Sequence, residues 1–189
     1  MIRPAKKTDA EQFVPILMQI LNDMELDVIA EIGTDKIQEL LVAAFENPQY
    51  RYGYQRVLVY ADDQTDRVQG ICVGYPAADE ATIDDALTPY LAQFGIPTDT
   101  QLFTDVETKP GEWYLDSLAV APDAQKRGIG GQLLDYLPDY LRAKGEKVIS
   151  LNVDFGNEKA KRLYLHHGFV SDGELMIGSH HYEHLVRHI

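Results

Sequence analysis

The segment Gln125-Lys126-Arg127-Gly128-Ile129-Gly130-Gly131 follows an apolar run, Leu118-Ala119-Val120-Ala121, and opens a stretch with helical periodicity. A strand that turns through glycines into a helix is, physically, a place for an anion. The first N–H groups of a helix have no intrahelical partner and lie at the positive end of its dipole. Glycine has no Cβ, so a bulky anion can approach the main chain at Gly128, Gly130 and Gly131. Lys126 and Arg127 add positive charge within a chain of net charge −13. A pyrophosphate is the natural guest. The spacing Gln-x-x-Gly-x-Gly differs from the dinucleotide fingerprint Gly-x-Gly-x-x-Gly, and the Gly-Lys-Ser/Thr of phosphate loops is absent.

A second group of residues stands further on: Asn157, Ala160, Leu163 and Tyr164, followed by Gly168-Phe169. Together the two segments resemble the Gcn5-related N-acetyltransferase (GNAT) superfamily. Its coenzyme A motif, Gln/Arg-x-x-Gly-x-Gly/Ala, is matched by Gln125, Gly128 and Gly130. Its later segment, Asn-x-x-Ala-x-x-Leu-Tyr with Gly-Phe beyond, is matched from Asn157 to Phe169. The similarity is strong over residues 113–170 and looser at Ile2-Arg3-Pro4-Ala5 with Asp9.

The resemblance implies an α/β fold of the acyl-coenzyme A N-acyltransferase type, with a mixed, mostly antiparallel sheet flanked by helices. It implies acetyl-coenzyme A as co-substrate and no metal. Main-chain amides of Gln125, Lys126, Arg127, Gly128, Ile129, Gly130 and Gly131 would hold the pyrophosphate. Leu118, Ala119 and Val120 would bulge from their sheet and pair with the pantetheine amides. Asn157, in a motif shared with Ala160, would bond the pantetheine arm while capping its own helix. Tyr164 would protonate the departing thiolate. The strand around 113–120 would splay from a parallel strand at 147–153 to admit the cofactor.

Attack on a thioester needs a neutral amine, and an amine near pH 7 is mostly protonated, so a base is required. Asp116 is the first candidate. Within the strand Trp113–Val120, residues 114, 116, 118 and 120 share a face by alternation, which sets Asp116 beside Leu118. An acidic residue in a central strand is costly without partners. Asp154 and Glu112 are weaker alternatives. The expected reaction is acetyl transfer to a primary amine of a small molecule or peptide. A different acyl donor, or a coenzyme A-binding sensor without turnover, stays open as an alternative.

The elements that must position these residues follow from patterning. Thr8-Asp9-Ala10-Glu11 reads as a capping box before a helix with Phe13, Ile16, Leu17, Ile20, Leu21 and Met24 on one side. A second helix is expected over 35–45. Strands at 56–61 and 68–75 flank the turn at Asp62–Asp66 as a hairpin. Residues 77–112 form a polar insertion on the substrate side, with a short helix near 83–94. Helices are expected at 128–144 and 157–167, strands at 113–120, 147–153, from 169–170 onward, and at 180–187. Pro138 should kink its helix without ending it.

The 189 residues fit one domain, and no run reaches the ~20 apolar residues of a membrane span. The start of the chain lacks the apolar stretch of a signal peptide. A cytoplasmic protein is expected. The 30 acidic against 17 basic residues disfavour nucleic acid and anionic membranes as partners and suit a cationic acceptor. A homodimer is a further expectation. Cys72, the one cysteine, sits in the apolar run Gly70-Ile71-Cys72-Val73-Gly74 and reads as a core thiol. All six histidines fall between His166 and His188. Their spacing is not that of a zinc protease helix. His180, Tyr182, His184 and His188 would share one strand face, the histidines reading either as surface or sheet-face residues or as lining of the acceptor pocket.

Overall fold

The structure, a computed structural model, describes residues 1–189. In chain order the elements are β1 (Ile2–Pro4), α1 (Ala10–Asp23), α2 (Asp27–Ile32), α3 (Thr34–Ala44), β2 (Val57–Ala61), β3 (Val68–Pro76), α4 (Thr88–Gln93), β4 (Trp113–Val120), α5 (Ile129–Arg142), β5 (Val148–Asp154), α6 (Glu158–His166), β6 (Val170–Ile177) and β7 (His180–His188). The seven strands form one sheet in the order β1-β2-β3-β4-β5-β7-β6. Only β4 and β5 run parallel; every other pair is antiparallel. This is the mixed, mostly antiparallel sheet expected from the sequence.

Helical periodicity turns directly into packing. The buried side of α1 carries Phe13, Ile16, Leu17 and Leu21, and that of α3 carries Ile37, Leu40, Leu41 and Ala44. The Phe13 and Phe45 rings meet at 4.6 Å. On α5, Leu133, Leu134, Leu137 and Leu141 are buried, and the helix runs unbroken through Pro138. The two layers lie on opposite faces of the sheet. A Cβ on Gly70 would come within 2.7 Å of Ile129, so β3 residues 70, 72 and 74 face α5. Ile71, Val73 and Tyr75 face the α1 side. Cys72 is buried, and burial pushes its thiol up to about 12. It is a core residue.

Three local expectations change. Thr8 does not cap α1: Asp9 accepts from the Lys6 N–H at 2.7 Å and pairs with Arg3, closing the turn ahead of the helix. The charged pairing outcompetes the Ser/Thr-type cap. A further short helix, α2, lies between the two that periodicity predicts; its six residues are too few to register a period. The insertion forms two 3-10 turns, Ala77–Asp79 and Asp85–Leu87, before α4, rather than one helix over 83–94.

The strand β4 also carries its bulge elsewhere than expected. Val73 pairs with Ser117 and Gly74 with Leu115, so Asp116 is the extra, unpaired residue. Leu118, Ala119 and Val120 stay in register with Cys72, Ile71 and Gly70. The bulge also resets the alternation. Tyr114 and Ser117 pair with Tyr75 and Val73 on the α1 side, whereas Leu118 pairs with Cys72 on the α5 side. Asp116 and Leu118 therefore do not share a face. A bulged strand bends, and β4 does so against β5: only Trp113↔Ile149 and Tyr114↔Ser150 are paired.

Opposite the bulge, Gly74 leaves room for the Trp113 indole. A Cβ there would lie 2.2 Å from Trp113 Cη2 and 2.4 Å from the Tyr114 carbonyl oxygen. Gly74→Val is expected to destabilise the protein by about 1–3 kcal/mol. Thermal unfolding should show a Tm lower by several degrees, whereas an unchanged Tm would mean that the Trp113 packing is looser than described.

Candidate active site

The glycine-rich turn has the geometry of an anion site. Gly128 is the N-cap of α5 at φ 79°, a left-handed conformation suited to glycine, and no side chain caps the helix. Lys126, at φ 64°, is left-handed as well. The first helical bond runs from the Gln132 N–H to the Gly128 carbonyl, at 3.0 Å. The N–H groups of Ile129, Gly130 and Gly131 precede it and have no intrahelical acceptor. Gly131 has a packing reason too: a Cβ there would stand 3.3 Å from His167 Nε2, whereas one on Gly130 would make an ordinary contact with Leu163 at 3.7 Å. Gly131 lets α6 approach the start of α5. Gln125 points back into the turn, its Nε2 donating to the Val120 carbonyl at 3.3 Å, and Arg127 donates to the Asp123 carbonyl at 3.2 Å.

Beyond Tyr114 the β5-facing edge of β4 has no strand partner; the Val120 carbonyl accepts from the Gln19 and Gln125 side-chain amides, and main-chain groups near Leu118 and Ala119 have no strand to pair with on that side. These three residues are half-buried. Asn157 caps α6, accepting from the Ala160 N–H at 3.1 Å. Tyr164 lies on the α5 side, edge-on to Phe169 at 5.9 Å and near enough to Cys72 for the two acidities to couple. Burial, then the Cys72 thiol, push its phenol above the usual range. At neutral pH it holds its proton.

A chamber of about 90 Å³ opens on the other face of the sheet, at the mouth of the β4–β5 gap. Tyr114, Asp116 and Ser117 of β4, Asn152 of β5, Tyr182 of β7, Ile20 and Met24 of α1, and Phe103 and Glu107 of the insertion line it. An adjoining cavity of about 90 Å³ shares Met24, Phe103, Glu107, Ile177 and Tyr182 and adds Asp105. Beneath the insertion lies a larger cavity of about 650 Å³, bordered by Glu80, Asp84, Asp85, Asp99 and Asp105, with Arg51 as its single basic residue.

Both oxygens of Asp116 are engaged. Arg51 donates to Oδ1 at 2.9 Å and the Ser117 hydroxyl to Oδ2 at 2.8 Å. Arg51 also forks onto Asp84, donates to the Tyr75 hydroxyl at 2.6 Å and stacks on Phe103 at 4.5 Å. Its side chain is 3% exposed. Burial opposes its charge, but Asp116, Tyr75 and Asp84 hold it firmly protonated. Glu107 is differently placed. It is buried, accepts from the Tyr114 hydroxyl at 2.6 Å, and has a carboxyl raised to about 7. Burial is the main cause and Asp116 adds to it, while Arg51 and the Tyr114 hydrogen bond pull the other way.

The weaker base candidates lie outside this chamber. Glu112 meets His184 at 3.1 Å, and Asp154 meets His180 at 3.2 Å. Glu112, Asp172 and His184 bring ligand atoms within 4.8 Å of one another. That group is already held from within the chain, with Lys109 Nζ on Asp172 at 2.7 Å and the Lys109 N–H on Glu112 at 2.9 Å. Of the C-terminal strand, Tyr182 reaches the chamber and His184 lies buried behind it.

Glu107 and Arg51 escaped the sequence reading. Glu107 lies in a polar segment without periodicity, and its burial depends on contacts across the fold. Arg51 had a local signal, since Tyr50-Arg51-Tyr52 places a cation among aromatics.

No helix of the protein is long and apolar enough to cross a membrane. The family model for the acetyltransferase (GNAT) family matches residues 34–169. An uncharacterized N-acetyltransferase, YhfO of Bacillus subtilis, is 37% identical over 60 residues, which cover 32% of this chain and 40% of that protein. The mycothiol acetyltransferase of Beutenbergia cavernae is 46% identical over 59 residues, 31% of this chain and 19% of that protein. The matched stretches thus span well under two thirds of these relatives. A solved acetyltransferase structure superimposes with a TM-score of 0.89 at 41% identity, covering 100% of this chain and 99% of that one. An N-acetyltransferase from Staphylococcus aureus Mu50 gives 0.84 at 28% identity, covering 99% of this chain and 100% of that one. The chain belongs to the acetyltransferase (GNAT) family.

Proposed function

We propose that the protein is an N-acetyltransferase that moves the acetyl group of acetyl-coenzyme A to a primary amine of a small molecule or peptide by direct attack. The observation that carries this reading is the unpaired stretch of β4 and β5, with an uncapped helix N-terminus at one end and a carboxylate chamber at its mouth. The free N–H groups at 129–131 suit the pyrophosphate, aided by Lys126 and Arg127. The open edge at Leu118–Val120 suits the pantetheine amides, and Asn157, which caps α6 at Ala160, is assigned to the pantetheine arm. No metal is called for.

Acid and base approach the reacting carbonyl from opposite faces of the sheet. Tyr164 stands on the α5 side, where a neutral phenol can give its proton to the leaving sulfur. Glu107 stands on the α1 side, where a carboxylate poised near neutrality can take the proton of the amine. Asp116 serves here as the partner that holds Arg51, with a share in the negative field that draws an ammonium inward. The acidic cavity beneath the insertion favours a cationic acceptor over an anionic one.

Release of free coenzyme A across a panel of amines tests the activity; turnover with none of them would overturn it. Glu107→Gln should lower kcat/KM by roughly 10²–10⁴-fold. A base works only when ionised, so the wild-type rate should rise with pH through about 7, and the variant should lose that limb. Tyr164→Phe should lower kcat and leave acetyl-coenzyme A affinity unchanged. Gly128→Glu places a side chain at φ 79° and a negative charge beside the diphosphate. Calorimetry should then detect no acetyl-coenzyme A binding; wild-type affinity would refute the site.

A further inference from the structure

A line of hydrogen bonds leaves Glu107 for the interior, joining residues that are far apart in sequence. The Tyr114 hydroxyl is 2.6 Å from Glu107 Oε2. Asn152 Nδ2 is 3.2 Å from that hydroxyl and 2.9 Å from the Glu107 carbonyl oxygen. Asn152 Oδ1 is 2.6 Å from His184 Nδ1, and His184 Nε2 is 3.1 Å from Glu112 Oε1. His184 is 2% exposed and Glu112 7%. Nothing in the chemistry of the chamber so far uses His184.

Donor and acceptor counting fixes the direction of the links from Glu107 through Tyr114 and Asn152 to His184 Nδ1. The Glu107 carbonyl can only accept, so the Asn152 amide must turn its NH₂ toward it. Its oxygen therefore faces His184, and Nδ1 must carry a proton. The second NH₂ hydrogen goes to the Tyr114 oxygen. That hydroxyl has one proton of its own, which is left for Glu107 Oε2. A flipped amide would set oxygen against the Glu107 carbonyl and offer the Tyr114 proton a competing acceptor.

We propose that His184, anchored by Glu112, is a positioning residue: it locks the Asn152 amide so that Tyr114 donates to Glu107 Oε2 and leaves the other carboxylate oxygen to accept the amine proton. This rests on Glu107 being the base. Several other groups face Glu107: Asp116 and Glu80 favour its neutral form, Arg51 favours its ionised form, and Tyr52 and Tyr182 stand nearby without formal charge. Asp172, itself paired with Lys109, stands on the His184 side. None of these is hydrogen-bonded to the Asn152 side chain, so the His184 link is separable from them.

The test is the pH dependence of kcat/KM for four variants, with Tm and acetyl-coenzyme A affinity measured alongside. Glu107→Gln should abolish the acidic limb; if the limb persists, the base assignment itself fails. His184→Leu removes the Nδ1 donor and should move the limb up by about one pH unit, with roughly fivefold less activity at pH 7. The KM for acetyl-coenzyme A should not change. His184→Asn keeps a donor close to the place of Nδ1 and should restore most of the wild-type profile. Should His184→Leu fail to fold, Tyr114→Phe carries the test, because it deletes the final donor and should raise the limb likewise. With Glu107→Gln behaving as a base mutant, an unmoved limb in His184→Leu overturns the proposal, as does an equal shift in His184→Asn. An unmoved limb in Tyr114→Phe overturns it too.

Discussion

Asp116 is buried in the middle of β4 with its carboxylate clamped by Arg51 and Ser117. A buried carboxylate is tolerated only with such partners. It sits as the extra residue of a bulge, opposite a glycine that yields its side-chain space to Trp113. Bulges bend strands and break ladders. Here the bend comes just past the two residue pairs that join β4 to β5. The proposed site is arranged around the gap that follows. The same ion pair ties the insertion to the sheet, since Arg51 also holds Asp84 and stacks on Phe103. One buried cation thus links the opening in the sheet to the wall of the neighbouring cavities.

The gap matters because it joins two environments that the sheet would otherwise separate. On the α5 side, a phenol surrounded by apolar neighbours keeps its proton. On the α1 side, a carboxyl is lifted toward neutrality by burial and by the charge of Asp116. One fold therefore offers a proton donor and a proton acceptor at the same pH, placed on opposite faces. Neither depends on an unusual residue; the environments differ, and the sheet keeps them apart except where β4 and β5 splay.

Much of this was legible in the chain. Strand and helix positions followed from periodicity, and the Gln125–Gly131 turn from the physics of helix N-termini. The features that were misread share a cause. The family resemblance implies a bulge at Leu118–Val120 and period-two counting sets Asp116 beside Leu118, whereas the bulge lies at Asp116 itself and separates the two faces. A bulge leaves no trace in the alternation of eight residues whose neighbours are all at least half-buried. Arg51 and His184 acquire their roles largely from partners far along the chain, such as Arg51 with Asp84 (33 apart) and His184 with Glu112 (72 apart), and Glu107 from burial in the folded protein. Local pattern cannot report such contacts. Asp116 was singled out correctly as a costly charge in a strand, but its partner had to be seen in three dimensions.

The most direct measurement is a crystal structure of the protein with coenzyme A. The diphosphate should sit within hydrogen-bonding reach of the N–H groups at 129–131. The pantetheine arm should lie in the cleft between β4 and β5, with its sulfur end between Tyr164 and the Glu107 chamber. Electron density for the ligand at another site, or a β4–β5 ladder closed along its full length, would contradict the account.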